Sequence, residues 1–232
     1  MGYAPNPLCS VCHGAGFVNP LTLDGRVDYS KYVICPAPDC LADSKQHYRE
    51  TGEYLELKGV SSRLQTFSAF KVRQGTEKAV RAFHDLTRGN TDKAFLLCYG
   101  GNGCGKTHLC QALTSELDKR GIDAHYYSVP ALMRTLRESI STNNTDEWVK
   151  SLTLMGGLIL DDYGLGRESD WTEGCLEEII DARWQEKRIT VLTTNRDLAE
   201  LSPRIRSRFS DAEMSVIVHI SANDYRPVKR EG

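Results

Sequence analysis

Residues 96–109, LLCYGGNGCGKTHL, satisfy GxxxxGK[ST] in full: Gly100, four variable residues, then Gly105, Lys106 and Thr107. Chemistry explains the spacing. A glycine-rich turn lets backbone N–H groups close around phosphate oxygens, and the helix that follows directs its positive dipole end at the same anion. Lys106 is expected to reach the β and γ phosphates, and Thr107 to place its hydroxyl on Mg²⁺. The flanks agree: 94–99 (AFLLCY) reads as a buried strand and 107–120 as a helix stopped by Gly121. Gly100, Asn102, Gly103, Cys104, Gly105, Lys106, Thr107 and His108 are therefore the candidate nucleotide contacts, with Cys104 at a variable position.

About 55 residues on, by the sequence, comes LILDDYG at 158–164. A run of aliphatics fits a strand buried on both faces, and its C-terminal end is where open α/β sheets hold their ligands. Asp161 is expected to hold Mg²⁺ directly or through water, and Asp162 to orient or polarise the attacking water. Ile189 to Thr193 reads as a further buried strand ending at Asn195, an amide placed to bond a γ-phosphate or its water. No NKxD follows, so ATP is expected rather than GTP.

Upstream, Phe67 and Phe70 form an aromatic patch ahead of the phosphate-loop strand. Adenine contact, with Phe67 as the candidate, and core packing are both open. An amphipathic helix is expected near 76–88, a strand at 124–129 and a helix opened by Pro130. On that last helix Arg134 and Arg137 share a face. A polar loop over 139–146, a short helix carrying Trp148 and Leu152, a helix over 173–187 and a final strand over 214–220 complete the pattern. Arg204 and Arg208 lie four apart in SPRIRSRF and project from one helical face.

The first 58 residues read differently from the rest. Cys9-x2-Cys12 and, after 22 residues, Cys35-x4-Cys40 have the spacing of a tetrahedral structural Zn²⁺ site, with His13 or His47 as an alternative to one Cys. A segment this short with few large apolar side chains needs such a staple. The expected organisation is a zinc-binding module and connector at 1–58 and an ATP-binding domain at 59–232. A net charge of -2 gives no global signal for nucleic acid, so any DNA contact must be local. No apolar run is long enough to span a bilayer and no signal-peptide pattern opens the chain, so the expected compartment is the cytoplasm, with no membrane partner and with the eight cysteines reduced.

Together the motifs TFSAF, YGGNGCGKTHLCQAL, LILDDYG, TVLTTN, SPRIRSRF and NDYR, from about Phe67 to Arg226, resemble the AAA+ ATPases of the DnaC/DnaI helicase-loader group and their relatives, the IstB transposition ATPases. The resemblance implies an α/β AAA+ P-loop domain with a central parallel sheet flanked by helices, preceded by a small zinc-ribbon-like module. It implies Asn195 as the γ-phosphate sensor, Arg208 or, as runner-up, Arg204 as an arginine finger serving a neighbouring subunit, and Arg134 and Arg137 on a single-stranded DNA path. It further implies self-assembly into a ring or open spiral and delivery of a hexameric replicative DNA helicase, with an IstB-like transposition helper as the alternative. A zinc-containing adaptor with a vestigial ATP site is the alternative from another class. Two departures stand out. Asp162 occupies a position where many AAA+ proteins carry Glu, and the chain is expected to lack the usual C-terminal helical lid, with Arg226 as a substitute for the lid's nucleotide-sensing arginine.

Overall fold

The computed structural model describes residues 65–141, 143, 145–164 and 170–225, together with the backbone of 17–18 and 33–34. Those two short stretches, β1 (Phe17–Val18) and β2 (Val33–Ile34), pair antiparallel. The four candidate zinc ligands, Cys9, Cys12, Cys35 and Cys40, lie outside the described residues, as does Arg226.

From residue 65 onward, strands and helices alternate. Helix α1 (Glu77–Arg88) leads to β3 (Phe95–Gly100), α2 (Lys106–Lys119), β4 (Ala124–Ser128), α3 (Val129–Ser141), α4 (Thr145–Leu154), β5 (Gly157–Tyr163), α5 (Asp170–Gln185), β6 (Ile189–Thr194), α6 (Pro203–Phe209) and β7 (Ser215–Ile220). The polar stretch at 139–146 is shorter as a loop than its composition predicts. Helix α3 runs on to Ser141, where Ser139 turns its hydroxyl back onto the Leu136 carbonyl, and α4 begins at Thr145.

The five later strands form one sheet in the order β4-β5-β6-β3-β7, with every neighbouring pair parallel. Parallel strands need crossovers, and the helices that make them cover both faces. Side-chain alternation divides the core accordingly. Leu96, Cys98, Ile159 and Val191 face α1 and α2, whereas Phe95, Leu97, Leu158, Leu160 and Leu192 face α3 to α6. The strand order has a functional consequence. Because β6 lies between β3 and β5, its C-terminal residues sit between the phosphate loop and the acidic end of β5.

A buried arginine ties the second face together. Arg183 of α5 has no exposed surface and donates to the carbonyls of Leu152 at 2.8 Å, Met155 at 2.7 Å and Ile189 at 2.6 Å, and to the Thr190 hydroxyl at 3.0 Å. These include carbonyls at the C-terminal end of α4, which carry its negative dipole end and lack intrahelical partners. Burial and the like charge of Arg188 push the Arg183 guanidinium down to about 9, which leaves it charged at neutral pH.

Candidate nucleotide-binding site

The phosphate loop leaves β3 at Gly100 and enters α2 at Lys106. Two of its glycines are required by their surroundings. Gly103 has φ 65°, and a Cβ there would collide with the Asp224 carboxylate; Gly105 has φ 113°, and a Cβ would stand 2.7 Å from the Phe70 ring. Neither position therefore tolerates a side chain. Around the loop opens a cleft of about 740 Å³, lined among others by Phe70, Arg73, Thr107, Asp162, Asn195 and Tyr225.

Lys106 is only 5% exposed, with its ammonium held by the carbonyls of Gly100 at 2.8 Å and Gly101 at 2.9 Å and by Asn195 Oδ1. Asn195 in turn donates from Nδ2 to Asn102 Oδ1 at 2.7 Å. The residue at the tip of β6 is thus bonded to the phosphate loop at Asn102 and to the lysine that opens α2. Thr107 is exposed at the start of α2 and lines the cleft; His108 bonds the Thr66 carbonyl at 2.8 Å and meets the Phe70 ring edge-on. Cys104 is buried, with Sγ 3.8 Å from the Lys106 ammonium.

The two acids of β5 take different positions. Asp161 faces the α2 side with no exposed surface; its Oδ2 accepts from the Tyr126 hydroxyl at 2.8 Å and its Oδ1 from the Thr193 hydroxyl. Asp162 lines the cleft. A β-bulge separates them in orientation. Pairing runs Leu160 to Leu192 and then Tyr163 to Thr194, so Thr193 stands opposite both Asp161 and Asp162. Asp162 sits at φ 62° with its N–H donated to Thr193 Oγ1 at 3.0 Å. The bulge turns the Asp162 side chain toward the cleft, where strict alternation would send it toward the opposite helices.

Hydroxyl and carboxylate oxygens from Thr107, Asp161 and Asp162 make a hard donor set that fits Mg²⁺, and the glycine-rich loop with its buried lysine fits a polyphosphate. Among the described residues no cluster of His, Cys, Asp and Glu forms a metal site without a nucleotide.

Phe67 does not line the cleft. Its ring lies against His84, with centroids 4.3 Å apart, and packs on the α1–α2 core. Phe70 stands at the cleft in its place, because the turn at 67–69 directs only the second aromatic ring over Gly105. Behind the loop, Tyr225 donates its N–H to the Gly103 carbonyl at 3.1 Å, and Arg73 stacks over the Tyr225 ring at 4.7 Å while bonding the Asn223 carbonyl. Sequence reading did not anticipate this strap, nor the roles of Thr193 and Tyr126.

The candidate arginines lie on other elements. Arg134 and Arg137 are exposed on α3, Arg137 with Nε donated to the Met133 carbonyl at 3.2 Å. Arg208 of α6 is bonded to Asp181 at 2.6 Å and stacked on Trp184 at 4.5 Å, whereas Arg204, 67% exposed, reaches Glu177 at 3.5 Å and Asp181 at 3.9 Å.

Comparison with known proteins agrees with this geometry. The replicative helicase loader DnaC of Escherichia coli K12 is 28% identical over 114 residues, 48% of this chain and 46% of that protein, so the match spans about half the length of this curated relative. The solved structure of DnaI superposes with a TM-score of 0.58 at 25% identity, over 67% of this chain and 90% of that one. AMPPCP-bound DnaA from Aquifex aeolicus shares the fold, with a TM-score of 0.64 at 23% identity, over 73% of this chain and 55% of that one. The family model described as IstB-like ATP binding protein matches residues 43–222. The chain belongs to the IstB-like ATP binding protein family, and its site is that of an AAA+ ATPase.

Proposed function

We propose that this chain is an ATP-dependent loader that binds single-stranded DNA and delivers a hexameric replicative helicase. The observation that carries the reading is the linkage of Lys106, Asn195 and Asn102 across the cleft, beside Asp162. Lys106 must leave the loop carbonyls to meet a phosphate, and Asn195 is bonded to it, so nucleotide occupancy is transmitted to the tip of β6. From there the chain continues through 195–202 into α6, which carries Arg204 and Arg208. Mg²⁺, when bound, supplies charge neutralisation on the phosphates. Thr107 and Asp161 are the residues to hold it, and Asp162 the residue to orient the attacking water.

Similarity to DnaC and DnaI supports the loader reading, and the exposed Arg134 and Arg137 supply a local basic feature for DNA on a chain of net charge -2. Assembly into a ring or open spiral would bring Arg204 or Arg208 to a neighbour's site. The zinc module over 1–58 remains part of the proposal; its support is the cysteine spacing and the β1–β2 pairing, which in sequence falls between Cys12 and Cys35. The family match favours a second reading, an IstB-like transposition helper.

The deciding experiment uses the full chain with ATP and single-stranded DNA as bait in host lysate, beside Lys106→Ala. ATP-dependent recovery of a hexameric helicase by the wild type alone supports the loader. Recovery of a transposase instead moves the chain to the transposition reading.

A further inference from the structure

Asp161 is the carboxylate that its position assigns to Mg²⁺, yet it has no exposed surface and is not part of the cleft lining. Each of its oxygens already accepts a hydroxyl proton, one from Tyr126 and one from Thr193. The two donors are not equivalent. Thr193 Oγ1 also accepts the Asp162 N–H within the bulge, so its displacement would disturb the backbone of β5. Tyr126 stands opposite Ile159 on β4 and reaches diagonally to Asp161, two residues further on, as long side chains do between neighbouring strands. Among the described residues its hydroxyl bonds Asp161 alone. A phenol is a hydrogen-bond donor at neutral pH, and here it donates to the Asp161 carboxylate.

We propose that Tyr126 is a positioning residue that holds Asp161 back from Mg²⁺: its hydroxyl and the cation compete for Oδ2, and full engagement of Mg²⁺ requires the Tyr126 hydrogen bond to open. A carboxylate oxygen satisfied by a buried donor offers less to a cation than one without it. Opening the Tyr126 bond costs one side-chain contact, whereas opening the Thr193 bond disturbs the bulge that aims Asp162. The hydroxyl therefore sets the Mg²⁺ concentration at which the site closes. This rests on the assignment of Asp161 to Mg²⁺.

The test titrates MgCl₂ against binding of a fluorescent ATP analogue to the full chain, in wild type, Tyr126→Phe, Thr193→Ser and Asp161→Asn. Nucleotide affinity in EDTA and thermal melting serve as the structural readouts. Tyr126→Phe keeps the buried ring and is expected to lower the half-saturating Mg²⁺ concentration by about tenfold or more, the change that one hydrogen bond to a charged group corresponds to. Affinity in EDTA should move little, whereas the melting temperature without Mg²⁺ should fall by roughly 3–6 °C, since the magnesium-free protein loses the same hydrogen bond. Tyr126→Leu also lacks the hydroxyl and should shift the titration the same way, and Thr193→Ser, which retains a hydroxyl, should leave it unchanged. An unchanged or raised Mg²⁺ requirement in Tyr126→Phe overturns the proposal, as does an equal shift in Thr193→Ser, which would indicate general loosening. If Asp161→Asn leaves the Mg²⁺ titration unchanged, the underlying assignment fails, an outcome distinct from failure of Tyr126 alone.

Discussion

At the residue scale, Lys106 and Asn195 are bonded to each other yet should fail differently when removed. Lys106→Ala deletes the buried cation of the phosphate loop. Nucleotide affinity, read by fluorescence titration, should fall by about 30-fold or more, the range of a lost charge-assisted bond. Asn195→Ala removes a neutral amide that touches the loop only through Lys106 and Asn102. Its nucleotide affinity should stay within about threefold while single-turnover hydrolysis falls by about 10–100-fold, the pattern of an interaction used in the transition state. A matching loss of affinity in Asn195→Ala would instead make it a binding residue. Both were legible in the sequence, because GxxxxGK[ST] fixes Lys106 and the strand-ending Asn195 follows from a run of aliphatics. Thr193 was not legible. Its role depends on standing opposite two residues of β5 at the bulge, and register between strands about 30 residues apart leaves no mark in either segment.

At the scale of elements, the strands and helices followed hydrophobic periodicity closely, with boundary differences of one to three residues. Arg183 escaped that reading. In the sequence it is one charged residue of an amphipathic helix, where charge ordinarily marks the solvent face; in the fold it is fully buried and carries the C-terminal end of α4 and the start of β6. Replacement by Met would fill part of the volume but leave several buried carbonyls without donors, each costing about 1–3 kcal/mol. Arg183→Met should therefore destabilise by on the order of 3 kcal/mol or more, lowering Tm by roughly 6–12 °C for a domain of this size. Arg183→Lys should recover only part of the loss, since one ammonium cannot span the helix end and the strand as a forked guanidinium does. A Met variant that melts with the wild type would remove α4 anchoring from the account of the fold.

At the scale of the whole molecule, the sheet order explains why one site draws on β3, β5 and β6, and the chain runs from the tip of β6 into α6. Arg204 and Arg208 share a helical face, as their spacing indicates, but tertiary contacts separate them in a way that spacing cannot. Arg208 is committed within its own chain, to Asp181 and the Trp184 ring, and Arg204 is 67% exposed. Arg208→Ala should therefore lower Tm by about 2–6 °C, the effect of losing a half-buried ion pair and a cation–π contact. Arg204→Ala should melt within about 1 °C of the wild type, as most exposed substitutions do. If Arg204 completes a neighbour's site, Arg204→Ala should lose at least about tenfold in DNA-stimulated ATPase, since a finger supplied in trans is worth far more than that in other NTPases. Mixing then distinguishes an effect in trans from one in cis. Lys106→Ala subunits have a disabled site but an intact Arg204, and Arg204→Ala subunits the reverse, so the mixture should regain activity that neither has alone. Recovery only when Lys106→Ala is mixed with Arg208→Ala would assign the finger to Arg208, whose guanidinium would then have to leave Asp181 and Trp184 on assembly.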